Sequence, residues 1–301
     1  MTPDYFIFVP AYNVSQTLAD VLGRISPAVM ERAQVLVIDD GSKDDTRGAF
    51  DAFVAGAAGV ANNEVADNGS GSVNAGKDCA VSGMASAGKN CAGRLQYERF
   101  EKNCGYGAVV KRGISEGLRS GAKFIACLHG DGQYPAEKLD EFFAHLETAR
   151  NQSANGLRNQ PADELRNEPA GVSPEGGILA LVQGSRRLVP GAARAGNMPL
   201  YKRLGGAFLT ALENLAFRQK LTDRHSGFIV YNAEFLKTLD LAKLSPSFDI
   251  DLEIISIADA RGYRLAELSI PTRYAGEKSN LNVVTYGLRV LRQTWRRFCL
   301  R

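Results

Sequence analysis

The stretch FIACLHGDGQYP, residues 124–135, decides the fold of this chain. Its first five residues are apolar, and polar residues begin abruptly at His129. A short apolar run that ends in turn residues is typical of a buried strand. Asp131 and Gln133 stand two residues apart, so on an extended chain their side chains point the same way. A carboxylate and an amide oxygen at a strand end suit Mg²⁺ or Mn²⁺, which also accept diphosphate oxygens as ligands.

Strand and helix patterns alternate on both sides of this stretch. Such alternation predicts an α/β fold with a parallel sheet and right-handed crossovers. In these sheets ligands bind beyond the carboxyl ends of the strands, where the polar clusters of this chain fall. Asp44 or Asp45 is expected to cap the second helix. The predicted strands are 5–9, 35–38, 96–100, 124–128, 179–182, 228–231 and 264–270, and the predicted helices are 15–24, 46–54, 107–118, 200–217, 251–261 and 283–300.

Two segments, 56–94 and 151–178, interrupt this alternation. Neither has periodic hydrophobicity, and such segments bury too little apolar surface to offset the entropy of ordering the chain. We expect two flexible surface insertions, with a partner-binding element as the alternative. Each segment contains an internal echo: AGKDCA at 75–80 against AGKNCA at 87–92, and LRNQPA at 157–162 against LRNEPA at 165–170.

Composition excludes several classes of protein. The 301 residues are 45% hydrophobic and 23% charged, which suits one globular domain with a core. A net charge of +3 does not indicate nucleic acid as a partner. No signal peptide and no apolar run of roughly 18 residues is apparent, and the five cysteines match no disulfide or zinc spacing. We expect reduced cysteines and a cytoplasmic protein with, at most, peripheral contact at the inner face of a membrane.

Several motifs, taken together and in order, resemble glycosyltransferase family two, and within it the branch of dolichol-phosphate mannose synthase and the polyprenyl-phosphate glycosyltransferases. The resemblance covers residues 5–55, 96–148 and 179–290. It implies a GT-A fold, a Rossmann-like and mostly parallel sheet flanked by helices, over residues 1–282. The motifs are VPAYN at 9–13, DDGS at 39–42, NCGYGA at 103–108, HGDGQYP at 129–135, GSR at 184–186 and TDRHSGF at 222–228.

The resemblance implies which residues meet the donor and the metal. His129 stands where the family has the first Asp of its Asp-x-Asp motif. His129 either binds the metal, which would favour Mn²⁺, or contacts the donor instead. The implied metal ligands are Asp131, Gln133 and His129, and the implied contacts to the nucleotide-sugar are Pro10, Tyr12, Asn13, Asp39, Asp40, Gly107, Lys111, Gly130, Asp131 and Arg273.

The resemblance also implies an acceptor site. Arg186 and Arg203 would grip an acceptor phosphate, because a guanidinium binds phosphate oxygens bidentately. Asp223 would orient the acceptor or an arginine, or would act as a base if the acceptor were a hydroxyl. With Asp131 these residues form the predicted catalytic set. Asp251 stands at a helix start, where a negative charge is favourable without any catalytic role.

The segment 283–301 combines Leu, Trp and Phe with five arginines after Tyr286. A basic amphipathic helix of this kind could lie in an anionic membrane interface, or it could pack on the core with a solvated basic face. A membrane contact would bring the enzyme to a lipid-phosphate acceptor at the membrane surface. A membrane-protein partner or a homodimer is a further expectation.

The sequence therefore predicts an inverting, metal-dependent glycosyltransferase. It would move a sugar from a UDP- or GDP-linked donor to a polyprenyl or dolichyl phosphate. The alternatives are a glycosyltransferase acting on a glycan or another hydroxyl, and an inactive nucleotide-sugar-binding protein. A nucleotidyltransferase would show a Gly-rich basic loop near the N-terminus, which residues 9–13 lack. A purely structural protein would bind neither metal nor nucleotide.

Overall fold

The computed structural model describes residues 2–57, 81–86, 94–154, 177–189, 200–217 and 220–271. For residues 81–86, 153–154, 200–203, 213 and 216–217 it describes the backbone alone. The predicted helix 283–301, Arg273 and most of both predicted insertions lie outside these residues.

Eight strands form one sheet in the order β3-β4-β2-β1-β5-β7-β6-β8. The pairs β1–β2, β1–β5, β2–β4 and β6–β8 are parallel, whereas β3 and β7 run antiparallel to their neighbours. All strands except β3 and β7 therefore point the same way, which confirms the predicted mostly parallel α/β sheet. The strands are β1 (Tyr5–Ala11), β2 (Ala33–Asp39), β3 (Val81–Ser86), β4 (Leu95–Phe100), β5 (Phe124–Cys127), β6 (Leu179–Ser185), β7 (Ile229–Asn232) and β8 (Arg264–Ser269).

Helices flank the sheet on both faces. Apolar residues of α1, α2, α3 and α5 pack in one core cluster, and those of α4, α7 and α8 pack in the other. Strand β1 serves both clusters, because its side chains alternate: Ile7 and Val9 join the first, and Phe6 and Phe8 the second. The helices are α1 (Leu18–Gly23), α2 (Pro27–Arg32), α3 (Thr46–Ala57), α4 (Tyr106–Ser120), α5 (Leu139–Ala154), α6 (Leu200–Phe217), α7 (Ala233–Leu236) and α8 (Ile250–Ala260).

Strand β7 runs opposite to the parallel strands on both sides of it. A parallel neighbour for β6 would need a crossover to the opposite edge, usually by a helix packed on the sheet. Helix α6 instead leaves Leu204, Phe208 and Leu215 exposed. The connection begins and ends at the same edge of the sheet, so β7 runs back between β5 and β6.

Other differences concern element boundaries. Strand β1 continues through Pro10 to Ala11, because the Pro10 carbonyl still accepts a hydrogen bond from Gly130 N at 3.0 Å. Strand β3 lies inside the segment 56–94 that lacked a strand pattern, and it pairs with β4 at the end of the sheet. Asp45, rather than Asp44, caps α3, since its Oδ1 accepts from Gly48 N at 3.0 Å. Helices α2, α5 and α7 were not predicted, and α1 is shorter than predicted.

No helix among the described residues is both long enough and apolar enough to cross a membrane.

Gly113 marks a close approach of α4 to β1. A Cβ added there would lie 2.2 Å from Cγ of the buried Phe8 ring, whereas a Cβ at Gly205 in α6 would meet no atom within 4 Å. Helix propensity alone predicts that alanine stabilises both helices by roughly 0.5–1 kcal/mol. We expect Gly205→Ala to stabilise the fold and Gly113→Ala to destabilise it by about 1–3 kcal/mol through overpacking. Urea denaturation of both variants measures the difference, and equal effects would contradict the described α4–β1 packing.

Candidate functional site

One edge of the sheet collects most of the predicted site residues. Strands β1, β2, β5 and β6 end at this edge, and the antiparallel β7 begins there. The segments that follow β1, β2, β5 and β6, and the segment that precedes β7, therefore meet at this edge. They carry VPAYN, DDGS, HGDGQYP, GSR and TDRHSGF.

The loops after β1 and β2 are tied together by hydrogen bonds. Asn13 has a φ of 55°, in the left-handed region that Asn tolerates. Its side-chain oxygen accepts from Lys43 N at 2.7 Å, and its own N–H donates to Ser42 Oγ at 2.9 Å. Val14 N donates to Thr46 Oγ1 at 3.0 Å. Asn13 therefore fixes the shape of this corner, next to the half-buried Tyr12.

Asp39 and Asp40 are buried and hold neighbouring loops. Asp39 accepts hydrogen bonds from Ser42 N at 2.8 Å and from the Tyr97 hydroxyl at 2.6 Å. Asp40 accepts from the backbone N–H groups of Cys104 at 2.6 Å and Gly105 at 3.0 Å. Burial raises the pKa of Asp40, and these two N–H groups offset part of the rise. The predicted contacts of both carboxylates with base and ribose stay predictions.

Gly107 and Lys111 contact the segment before α8. A Cβ on Gly107 would lie 2.3 Å from the Pro246 carbonyl carbon, so only glycine fits there. Lys111 Nζ donates to the Leu244 carbonyl oxygen, and burial lowers the pKa of Lys111. The structure thus gives both residues a role in packing α4, and their contact with a nucleotide stays a prediction.

The turn after β5 presents Asp131 at the edge of the sheet. Gly130 is anchored on both sides, because its N–H donates to the Pro10 carbonyl at 3.0 Å and its carbonyl accepts from Thr17 Oγ1 at 2.7 Å. Asp131 Oδ1 accepts from Gln133 N at 3.0 Å, which closes a tight turn around Gly132. Asp131 remains partly exposed.

The side chains at this turn suit a metal ion whose coordination is completed by oxygens of a bound ligand. Among the described residues, no group of three or more His, Cys, Asp and Glu side chains could hold a metal ion. A closed structural site would need such a group. A hard divalent cation instead accepts one or two carboxylates with phosphate and water oxygens, and the anchored, partly exposed Asp131 fits that arrangement.

Arg186 and Asp223 form a bidentate ion pair. Arg186 Nε and Nη2 donate to the two Asp223 oxygens at 2.7 and 3.0 Å, and Arg186 Nη2 also donates to the His225 carbonyl at 3.1 Å. Burial alone would raise the pKa of Asp223, but the charge and hydrogen bonds of Arg186 lower it overall. Asp223 therefore stays ionised and orients the Arg186 side chain, and orienting an arginine was one of its predicted roles.

A second buried carboxylate supports this pair. Glu267 on β8 accepts from Thr222 N at 2.7 Å, from Thr222 Oγ1 at 3.0 Å and from Asp223 N at 3.0 Å. Burial raises the pKa of Glu267, and its hydrogen bonds with Thr222 and Asp223 offset part of the rise. The backbone of the ion pair is thus fixed to the neighbouring strand.

His129 belongs to a hydrogen-bonded chain that the sequence did not reveal. Its Nε2 lies 3.2 Å from the Tyr106 hydroxyl, and that hydroxyl donates to Asp251 Oδ2 at 2.7 Å. The Tyr231 hydroxyl donates to Asp251 Oδ1 at 3.3 Å. Burial raises the pKa of Asp251 to about 7 and lowers the pKa of His129. One signal was present in the sequence, since Asp251 stands between the apolar residues Ile250 and Leu252.

Other sequence expectations have different outcomes. Arg203 lies in α6, where the structure describes its backbone alone, and Arg273 lies outside the described residues. Cys104 is disulfide-bonded, so the expectation of reduced cysteines is wrong at this position. Within the described ranges Cys127 is a free, buried cysteine.

No protein-family model matches this chain, and no curated protein matches it. Solved structures of glucosyl-3-phosphoglycerate synthase from Mycobacterium tuberculosis are similar to this chain in fold. Its complex with Mn²⁺, UDP and phosphoglyceric acid is 14% identical, with a TM-score of 0.52 over 98% of this chain and 78% of that chain. Its complex with Mn²⁺, UDP-glucose and phosphoglyceric acid is 15% identical in sequence, with a TM-score of 0.53 over 98% of this chain and 79% of that chain. Its complex with Mg²⁺ and UDP is 13% identical, with a TM-score of 0.52 over 98% of this chain and 79% of that chain. This likeness confirms the GT-A fold.

The raised pKa of Asp251 predicts a distinct dependence of stability on pH. The folded protein keeps this proton up to about pH 7, whereas the ordinary value of the group is 3.8. Between these values unfolding releases a proton, so the free energy of unfolding falls as pH rises, by up to about 1.4 kcal/mol per unit. We expect Asp251→Asn to gain stability over the wild type from pH 5 to 7 and to keep a constant difference above pH 7.

Chemical denaturation of both proteins at pH 5, 6, 7 and 8 measures this difference. Asp140→Asn, at an exposed position of α5, is the control and should show no such trend. A difference between wild type and Asp251→Asn that stays constant with pH would mean that Asp251 titrates in its ordinary range.

Proposed function

We propose that this chain is an inverting, metal-dependent glycosyltransferase that takes its sugar from a nucleotide-sugar donor. One observation carries the proposal: at the edge of a GT-A sheet where the strands end, the Asp131 turn and the Arg186–Asp223 pair both lie close enough to act electrostatically on one side chain. That side chain is the buried Tyr134: burial raises its pKa, and the charges of Arg186, Asp131 and Asp223 also act on it. Its hydroxyl accepts from Gly227 N at 2.9 Å, which links the turn after β5 to the start of β7.

The donor is proposed to be a nucleoside diphosphate sugar. The structures of similar fold hold UDP or UDP-glucose with Mn²⁺ or Mg²⁺, and this supports a UDP-linked donor as the first to test, with a GDP-linked donor as the alternative. Asp131 and Gln133 would hold the metal, with His129 as a further ligand or a donor contact. A bound divalent metal would neutralise the charge of the departing nucleoside diphosphate.

The acceptor is proposed to carry a phosphate. Direct displacement by a hydroxyl needs a base, and Asp223 is poorly suited because Arg186 occupies both of its oxygens and lowers its pKa. A phosphate oxygen is already ionised at neutral pH, so positioning and arginine electrostatics would be sufficient. This favours the acceptor implied by the sequence resemblance, a polyprenyl or dolichyl phosphate.

A small phosphorylated acceptor is the second candidate. Structures of similar fold were solved with phosphoglyceric acid, an acid that also carries a phosphate. Arg186 is partly buried and could bind the phosphate of either acceptor. If a hydroxyl of the small acid were the nucleophile, Asp223 would have to release Arg186 before it could take a proton.

The proposed setting is the cytoplasmic face of a membrane. A lipid-linked acceptor would lie at the membrane surface, and the predicted basic helix 283–301 is the proposed contact, either directly or through a membrane-protein partner or a homodimer. An inactive nucleotide-sugar-binding protein is the alternative that would bind the donor without transferring the sugar.

Donor binding should depend on Asp131. We expect UDP or GDP with Mn²⁺ to raise the melting temperature of the wild type, and we expect chelator to abolish the rise. Asp131→Asn should lose at least about tenfold in nucleotide affinity, because the amide is a weaker ligand for a hard cation. Asp140→Asn, the exposed control on α5, should bind like the wild type. Equal binding by all three proteins would contradict the assignment of the metal to Asp131.

Acceptor class can be distinguished by sugar transfer. Purified protein is incubated with the donor that binds, Mn²⁺ and either a polyprenyl phosphate in detergent or phosphoglyceric acid, and the glycosylated product is measured. We expect product with the lipid phosphate, and a loss of about 10²-fold or more in Arg186→Lys, since lysine cannot bind both Asp223 and phosphate bidentately. Product with phosphoglyceric acid alone would support the second candidate. Binding without transfer would support the inactive binder.

A further inference from the structure

The Tyr106 hydroxyl has one proton and several neighbours that could share it. It lies 2.7 Å from Asp251 Oδ2, 3.2 Å from His129 Nε2 and 3.7 Å from Cys127 Sγ. The shortest contact is to the only carboxylate of the three, and at pH 8, where Asp251 is ionised, a hydrogen bond to this charged acceptor is the strongest of these choices. The phenol proton therefore belongs to the bond with Asp251.

Packing holds this arrangement in place. The Tyr106 ring stacks on Phe248 with centroids 5.3 Å apart and planes at 9°. Asp251 is 9% exposed, and its other oxygen accepts from the fully buried Tyr231. In the described part of the chain no lysine, arginine or histidine forms an ion pair with Asp251. Two phenols, rather than a cation, thus satisfy this carboxylate.

This geometry determines the proton position on His129. Once the Tyr106 proton is donated to Asp251, the Tyr106 oxygen can only accept from His129. The Nε2 of His129 must then carry a proton, and in the neutral ring Nδ1 has none. The hydrogen bond to one ring nitrogen sets what the other nitrogen can bind. The described residues offer Nδ1 no hydrogen bond.

We propose that Asp251 is a positioning residue that acts through Tyr106 to hold His129, two residues before Asp131, in the Nε2–H tautomer, with the lone pair left on Nδ1. The proton assignment stands on the hydrogen bonds alone, whereas its use for a metal rests on the proposed function. An imidazole lone pair is a softer ligand than a carboxylate, so it selects Mn²⁺ over Mg²⁺ at this turn. The same nitrogen in the other tautomer would carry a proton and could not bind a cation.

The tautomer can be observed directly without donor or acceptor. Long-range ¹H–¹⁵N NMR of ¹⁵N-histidine-labelled protein at pH 8 distinguishes the two tautomers. The chain has three histidines, and His129→Gln identifies the signal. We expect the Nε2–H form in the wild type. In Asp251→Leu the phenol has lost its carboxylate acceptor and donates its hydrogen bond to the lone pair of His129 Nε2 instead, so we expect the Nδ1–H form.

Two further variants separate this effect from general damage to the fold. The double variant Asp251→Leu with Tyr106→Phe has no phenol proton to donate, so the inversion should disappear. Glu253→Gln changes the next acidic residue of α8, which bonds Ser245 N at 2.7 Å, and should leave the tautomer unchanged. An Nδ1–H form in the wild type, or an Nε2–H form in a folded Asp251→Leu protein, would overturn the proposal.

A binding experiment tests the consequence for the metal. We measure UDP affinity with Mn²⁺ and with Mg²⁺ at pH 8 in the wild type and in Asp251→Leu. We expect the preference for Mn²⁺ to fall by about tenfold or more, as it does when other residues that orient a metal ligand are substituted. An inverted tautomer with an unchanged preference would show that His129 does not bind the metal. If wild type binds no nucleotide with either metal, the proposed function fails, while the NMR result still decides the proton assignment.

Discussion

The bidentate pair of Arg186 and Asp223 depends on a reversal in the sheet. Arg186 follows β6, and Asp223 precedes β7, so the two residues meet only because β7 runs antiparallel between β5 and β6. Glu267 on β8 then holds the backbone at Thr222 and Asp223. A buried carboxylate without its cation would cost several kcal/mol, so this pair constrains the whole edge where the proposed acceptor site lies.

The proposed site uses carboxylates in three different ways. Asp223 is kept ionised by an arginine, whereas Asp251 has, among the described residues, only phenols as partners and has its pKa raised to about 7 by burial. Asp131 is the third type, since it is partly exposed and accepts a single hydrogen bond from its own turn. These environments divide the work: one carboxylate orients an arginine, one orients a histidine, and one remains available for a metal.

Several residues that the family resemblance implies as nucleotide contacts also form hydrogen bonds that hold the fold together. Asp40 binds two backbone N–H groups, and Asn13 joins the corners after β1 and β2. Such residues shape the loops around the edge, and a motif therefore identifies a region more firmly than it assigns a role to each side chain. Lys111 illustrates the point, because it bonds the Leu244 carbonyl, a contact across 133 positions that no local pattern could indicate.

The sequence by itself determined the α/β class, most strands and the edge that carries the polar clusters, because these follow from local hydrophobic patterns and turn residues. It also marked Asp131, Arg186 and Asp223. Tertiary structure alone decided the reversal of β7, the pairing of Arg186 with Asp223 and the contact of Tyr106 with both His129 and Asp251. These contacts join residues 23 to 145 positions apart, and their proton positions depend on burial and hydrogen-bond partners that exist only in the folded chain.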